Sequence, residues 1–360
     1  MNLLRHKFLL LPFAILFSAI LLDKIILIEF VQTYFTKTMS EINFQEKEQL
    51  FDDLKEYLQK PNRKKVLVYF GTSRALLFDL EYIHKKYPNW TLFNFSVPGG
   101  TPDYFLFWLE QFEKENVKPD FVLLDQSVEL YNTSTTVGID EVLTNSLSFS
   151  FLLRHFQYYS RDDWTSFLTK RMFLSYKYRP KLETILQRMK NNSEIAKGYR
   201  QIRNFLRAEL KKGQGSASTP GNFTGSMPKE TLKKSARGDF DSYCVPYSLD
   251  PNVLYFQESN MKTLQKMQIP FATIWVRLSR EYFAYFENYK LDTNPPKTVV
   301  EIWKPTILSS QKKWNVPLWN MNEDSQYSCD QFSDAGHMAP VCYSEYTDYI
   351  FKRITNVTTY

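Results

Sequence analysis

The sequence predicts an α/β fold built on a parallel sheet with helices on both faces, and three short apolar runs carry that prediction. Residues 65–70, 90–95 and 119–124 are each apolar over strand length, and charges, Gly or Pro bound them. Continuous rather than alternating apolarity is what a strand covered on both faces shows. Between the runs, residues 75–86 and 104–116 have helical spacing. Strand, helix, strand, helix, strand at these intervals is the pattern of a parallel sheet with crossover helices.

The elements around this unit follow from the same rules. Arg5, His6 and Lys7 precede a charge-free run from Phe8 to Leu22, and Asp23-Lys24 separates it from Ile25-Ile26-Leu27-Ile28. Counted through Ile28 the stretch is long enough to cross a bilayer with the Asp-Lys pair near the far headgroups. The best signal-cleavage candidate, Phe17-Ser18-Ala19, places Phe where a small residue is needed, so an uncleaved anchor over residues 1–29 is expected. Basic residues stay on the cytoplasmic side, which puts the rest of the chain on the outer, periplasmic face of the cytoplasmic membrane. Residues 30–64 form a connector, helical over 39–58 and ended by Pro61. The α/β domain then runs in two parts, 65–150 and 241–360. The second part holds a helix over 250–267, strands over 271–276 and 316–320, and a closing helix over 343–354.

Between the two parts, residues 151–240 carry 19 Lys and Arg against 7 Asp and Glu, whereas the rest of the chain carries 26 against 32. The net charge of +6 therefore hides a polarised molecule. This insertion reads as two or three basic helices with a mobile Gly/Ser/Pro loop near 212–228. Either it is a solvated helical cap, or it faces anionic lipid headgroups or a phosphate-bearing glycan. Nucleic acid is not expected as a partner, because no recognition motif accompanies the charge.

Composition narrows the chemistry. With 43% hydrophobic and 23% charged residues the chain is neither disordered nor fibrous. Three Cys with no Cys-x-x-Cys spacing give no structural zinc signature, and no metal or other cofactor is called for. Histidine chemistry is confined to His6, His84, His155 and His337. Aromatic residues, at 16%, suit a thick core and equally a sugar- or lipid-facing surface. Trp303, Trp314 and Trp319 lie near the His337 segment, and core packing is expected for at least two of them.

Three segments hold reactive residue types where such a fold places ligands. In Gly71-Thr72-Ser73-Arg74 a buried strand turns toward a helix, and Ser73 projects from the carboxyl end of that strand. The helix beyond it would offer free N–H groups to an anionic centre, and the plainer alternative is that Thr72 and Ser73 only cap that helix. In Asp334-Ala-Gly-His337 the carboxylate accepts the imidazole Nδ1 proton, leaving Nε2 to take a proton from a nucleophile. Asp330 and Ser333 are alternatives to Asp334. In Asn94-Phe-Ser96-Val-Pro-Gly99-Gly100-Thr101, the Gly pair after the second strand lets backbone N–H groups approach a substrate oxygen; the alternative is an ordinary turn.

The order of the three segments resembles the SGNH (GDSL-like) hydrolase superfamily. Gly71-Thr72-Ser73 is similar to its first block, Asn94-x-Ser96-x-x-Gly99-x-Thr101 to its second, and Asp334-x-x-His337 to its fifth. The resemblance implies a flavodoxin-like three-layer sandwich with Ser73 as nucleophile, His337 as general base and then acid, and Asp334 as its orienter. The N–H groups of Gly99 and Ser73 would be the oxyanion donors. Arg74, Asn94, Gly100, Gln126 and Ser127 are the expected substrate-binding residues. Thr72 stands where the family has Asp. The third block, Gly-x-Asn-Asp, is absent: the third strand ends Asp125-Gln126-Ser127, and Gln126 or Ser127 would have to replace the missing Asn. Branches lacking that Asn, with an N-terminal anchor, look like the alginate O-acetylation and D-alanyl transfer proteins of cell envelopes. The anchor, the Gly-Thr-Ser-Arg segment and the basic insertion also resemble an uncharacterised spirochaetal family of anchored SGNH-like proteins. This likeness implies transfer of an acyl (acetyl-type) group to an envelope or lipid-linked glycan, with a multi-span membrane acyltransferase as donor. An esterase, or a non-catalytic binding or assembly protein, are the alternatives. Cys329 and Cys342 flank the Asp-x-x-His segment; a disulfide between them would hold His337, with Cys329–Cys244 or no bond as the other possibilities.

Overall fold

A computed structural model describes residues 4–28, 31, 34, 40–134, 139–179, 181–190, 194–217 and 225–357. Its strands are β1 (Lys65–Phe70), β2 (Trp90–Asn94), β3 (Phe121–Asp125), β4 (Phe271–Trp275) and β5 (Leu318–Asn320). Helices in the first half are α1 (Leu4–Asp23), α2 (Ser40–Leu58), α3 (Leu80–Lys86), α4 (Pro102–Lys114), α5 (Ile139–Asn145), α6 (Phe149–Arg154) and α7 (Arg161–Met172). There follow α8 (Leu174–Tyr178), α9 (Leu182–Lys190), α10 (Glu194–Lys212) and α11 (Lys229–Cys244). The chain closes with α12 (Pro251–Lys266), α13 (Arg280–Asn288), α14 (Val299–Trp314) and α15 (Tyr343–Val357).

The five strands form one parallel sheet in the order β2-β1-β3-β4-β5. Between β1 and β3 the winding reverses, so the loops leaving their carboxyl ends diverge and open a crevice there. Side chains alternate across the sheet. Val66, Val68 and Phe70 face α2, α4 and α12 in one apolar cluster, whereas Leu67 and Tyr69 face α3 and α15 in another. Beside β4, Trp275 and Trp303 join α11, α13 and α14 in a third. Trp303 and Trp319 are therefore core residues, and Trp314 is half-buried.

Several sequence expectations change here. Helix does not begin beyond Ser73: a short 3₁₀ turn, Ser73–Ala75, is followed by non-helical residues, and α3 starts only at Leu80 behind its Asp79 cap. Ala75, Leu76 and Phe78 are buried, so their apolarity reflects a covered irregular segment rather than a helical stripe. The insertion holds more helices than the two or three expected. It is no detached body either, because Phe167 of α7 packs in the cluster under α2 and α4. Helices α13 and α14 also went unassigned, although Thr298 and Glu301 form a capping box at the start of α14.

The expected mobile loop near 212–228 is a docked segment where it is described; residues 218–224 lie outside the described residues. Gly215, Ser216 and Ala217 are buried, and the Asn94 N–H donates to Gln214 O at the end of β2. Lys47 of α2 secures them. It is wholly buried, and its Nζ donates to Asn94 O at 2.6 Å and Gly215 O at 3.0 Å. Burial, only partly opposed by the charge of Glu46, holds the ammonium down at about 7.

A lysine whose folded pKa lies below its unfolded one binds more protons when unfolded, so stability rises with pH between the two values. From about pH 7 to about pH 9 this group should add on the order of 2 kcal/mol. Chemical denaturation of the full chain against Lys47→Met measures it: the variant should have the flatter pH profile.

Candidate active site

Ser73 sits just past the carboxyl end of β1, and the neighbouring strand fixes its turn. The buried Asp125 carboxylate at the end of β3 accepts from Thr72 N–H at 3.2 Å and Thr72 Oγ at 2.9 Å through one oxygen, and from Ser127 Oγ at 2.9 Å through the other. Thr72 also accepts weakly from Arg74 N–H, so part of its role is a cap. The loop after β2 packs on the same turn, with Val97 N–H donating to Gly71 O. Gly100 is confined to glycine there, because a Cβ would stand 2.3 Å from Gly71 O. Gly99, at φ +63°, takes the left-handed conformation that lets it line the cleft beside Ser73. Among the described residues no hydrogen bond occupies the Ser73 or Gly99 N–H.

His337 arrives from the other end of the chain. Ser73 Oγ lies 2.7 Å from His337 Nε2, and Nδ1 lies 2.8 and 2.9 Å from the two Asp334 oxygens. Burial pushes the Asp334 carboxyl up, but the His337 ring and the N–H groups of Gly336 and His337 outweigh it and hold the group below its usual range. An ionised Asp334 only accepts, so Nδ1 carries the proton and Nε2 must accept from the Ser73 hydroxyl. The alternatives to Asp334 are engaged elsewhere, Asp330 with Arg280 and Ser333 with Gly225 O. A Cys329–Cys342 disulfide closes the loop carrying both groups, and Cys244 is free and buried.

Arg74 binds these parts into one unit. Its Nε donates to Gly336 O at 3.1 Å, beside His337, and Nη1 donates to Ser127 Oγ at 3.2 Å. The guanidinium pairs with Glu129, whose side chain is 3% exposed. Burial pushes Glu129 up, but the Arg74 charge outweighs it and keeps the carboxyl below its usual range. Burial holds Asp125 above its range despite the same charge and its hydroxyl donors.

The cleft is small, about 100 Å3, and its walls are Ser73, His337, Gly99, Thr72, Arg74, Ser127, Glu129, Leu130 and Tyr243. Of the substrate-binding residues named from sequence, Asn94, Gly100 and Gln126 stay out of it. Asn94 is fully buried, donating to Ala75 O and Ser216 Oγ and accepting from Ser96 N–H. Gln126, also buried, accepts from Tyr131 OH. Gly100 packs on Gly71 O, and Arg74 lines the cleft with its guanidinium engaged.

Sequence reading missed Asp125, Glu129, Leu130 and Tyr243. For Asp125 the signal was its place at a strand end; for Tyr243 nothing local marked it. Helix α11 straddles residue 240, taken as the insertion boundary, and one turn before Tyr243 it carries the half-buried Asp239. Burial, and then the charge of Asp334, hold Asp239 above its usual range. Among the described residues no group of three or more His, Cys, Asp or Glu gathers where it would hold a metal ion.

Residues 3–354, nearly the whole chain, match the family model described as protein of unknown function DUF1574. The chain belongs to the DUF1574 family. No curated protein matches it. In this DUF1574 chain the match takes in the apolar N-terminal helix, the insertion and both parts of the site.

The Arg74–Glu129 pair predicts an asymmetric pair of mutants. Arg74→Met strands a buried carboxylate and should cost about 3–5 kcal/mol in chemical denaturation. Arg74→Met with Glu129→Met should recover much of that loss, since no uncompensated charge is left.

Proposed function

We propose that this is a membrane-anchored serine acyltransferase with a flavodoxin-like, SGNH-type domain, moving an acetyl-type acyl group onto a cell-envelope glycan. The observation that carries the reading is the hydrogen-bonded series Ser73–His337–Asp334 at 2.7 and 2.8 Å, set at the reversal point of a parallel sheet. The strand order β2-β1-β3-β4-β5 is the one flavodoxin-like sheets use and supports the fold assignment.

In this mechanism Ser73 Oγ attacks the carbonyl carbon of the acyl donor as its proton passes to His337 Nε2. The carbonyl oxygen becomes an oxyanion facing the N–H groups of Gly99 and Ser73. Collapse breaks the bond to the leaving group, which takes the proton from His337 and leaves acyl-Ser73. An acceptor hydroxyl then gives its proton to His337 and attacks the acyl carbon. Ser73 leaves and regains that proton. Ser127, held between Asp125 and Arg74, is the polar group lining the cleft where the family's third-block Asn is missing.

Anchoring rests on α1, where the window Leu10–Leu27 has a mean hydropathy of 2.2 and is 6% buried. Arg5 and Lys7 before it favour an outward-facing domain, where a multi-span acyltransferase would supply the acyl group and a lipid-linked or free envelope glycan would accept it. Hydrolysis is the second reading, and one observation favours it: His337 keeps 24% of its side chain exposed, so water reaches the base.

A fluorophosphonate probe should label the full chain at Ser73, as read by mass spectrometry, and Ser73→Ala and His337→Ala should abolish the label. Asp334→Asn should slow labelling by about 10²–10⁴ through loss of the correct tautomer. Turnover that requires a glycan acceptor supports transfer, and free acid released at full rate without one supports hydrolysis. A folded chain that takes no label sinks the serine mechanism and leaves a binding or assembly role.

A further inference from the structure

The end of the apolar N-terminal helix is hydrogen-bonded into the insertion. Asp23 accepts from Ser175 N–H at 2.8 Å and from Leu174 N–H, the first donors of α8. Lys24 Nζ donates to Met172 O at 2.7 Å and Arg171 O at 3.2 Å, the last acceptors of α7. A carboxylate at a helix start and an ammonium at a helix end are each favoured by the helix dipole, and each satisfies backbone groups left open there. The junction fixes the α7–α8 corner at the point where the span leaves the bilayer.

Around that corner the surface is apolar and basic. Leu168, Met172 and Tyr176 are 43%, 46% and 45% exposed. Helix α9 follows at once, with Leu182, Leu186 and Met189 exposed at 69%, 55% and 57%. These fall at positions i, i+4 and i+7, a single stripe along the helix. Lys181 and Arg188 flank the stripe on one side, Lys190 and Glu183 on the other, and the insertion as a whole carries 19 basic against 7 acidic residues. An exposed apolar stripe with a basic border suits a helix lying in the headgroup plane.

From this junction and this surface we infer that α7–α9 form a second membrane contact, docking on the anionic lipid surface into which α1 inserts. The span holds the corner within reach of the headgroups. The apolar stripe enters the headgroup–acyl boundary, and Lys181, Arg188 and Lys190 meet lipid phosphates. Two contacts on one rigid junction fix the height and tilt of the domain above the bilayer, which a single span cannot do. The inference rests on α1 spanning the membrane and is independent of the acyl-transfer reading.

The full chain is reconstituted in phosphatidylcholine vesicles with or without phosphatidylglycerol, carrying a thiol-linked fluorophore at Leu16→Cys, Leu186→Cys or Lys352→Cys. Cys244 is buried and the other cysteines are bonded to each other, so the introduced thiol takes the label. Leu16 lies in the span, and exposed Lys352 is on α15, across the sheet from the cluster that α7 joins. Brominated lipid should quench the labels at residues 16 and 186 but not at 352. Aqueous iodide should reach position 186 at least about fivefold less than 352, and only with phosphatidylglycerol present. Quenching at 16 with position 186 behaving like 352 would overturn the docking surface and leave the anchor standing. Absence of quenching at both 16 and 186 would overturn the anchor and this inference together. Equal quenching at 186 with and without phosphatidylglycerol would overturn the anionic-surface assignment.

Discussion

The buried pair of Arg74 and Glu129 is the constraint on which the site depends, because one guanidinium ties together three segments that no strand joins. Arg74 belongs to the turn that presents Ser73, Glu129 and Ser127 to the turn after β3, and Gly336 O to the loop of His337. A guanidinium suits this place for its geometry: it is planar, it stays charged, and its donors leave in several fixed directions. Asp125 does for Thr72 what Arg74 does for Gly336, holding a backbone turn from below with a buried polar group. The Ser73–His337 hydrogen bond thus has buried polar support on both sides.

How much of this was legible in the sequence depends on range. Ser73, Asp334 and His337 were legible because their chemistry is local: a serine after a strand, and a carboxylate three residues before an imidazole. The strands were legible because double coverage leaves an unbroken apolar run. Residues 76–79 misled for the same reason in reverse, since burial of an irregular segment left apolar spacing that also suits a helix. The Arg74–Glu129 pair spans 55 positions, and no local pattern marks it. Asn94 shows that a motif position and a site position differ. It stands where the second block has its Asn, but its amide is consumed by Ala75 O, Ser216 Oγ and the Ser96 N–H.

The insertion proved less separate than its charge suggested. Composition set residues 151–240 apart, yet Phe167 enters the main core, Gly215–Ala217 close over the end of β2, and α11 carries Asp239 and Tyr243 toward His337. Charge reports the solvent-facing side of a helix, whereas the buried side decides what it belongs to. The basic residues outside and the packed residues inside sit on the same helices, and a bulk count reads only the first.

The 264 positions between Ser73 and His337 set an order of events during synthesis. Ribosomes make the apolar helix before Ser73, and Ser73 before His337. While the intervening residues are made, the growing protein therefore holds Ser73 without its imidazole partner. A product cut short in that interval carries the Ser73 hydroxyl with no imidazole against it. The Ser73–His337 hydrogen bond forms only once the Asp334–His337 loop folds back to the end of β1, so the bond itself records that all the intervening residues were made.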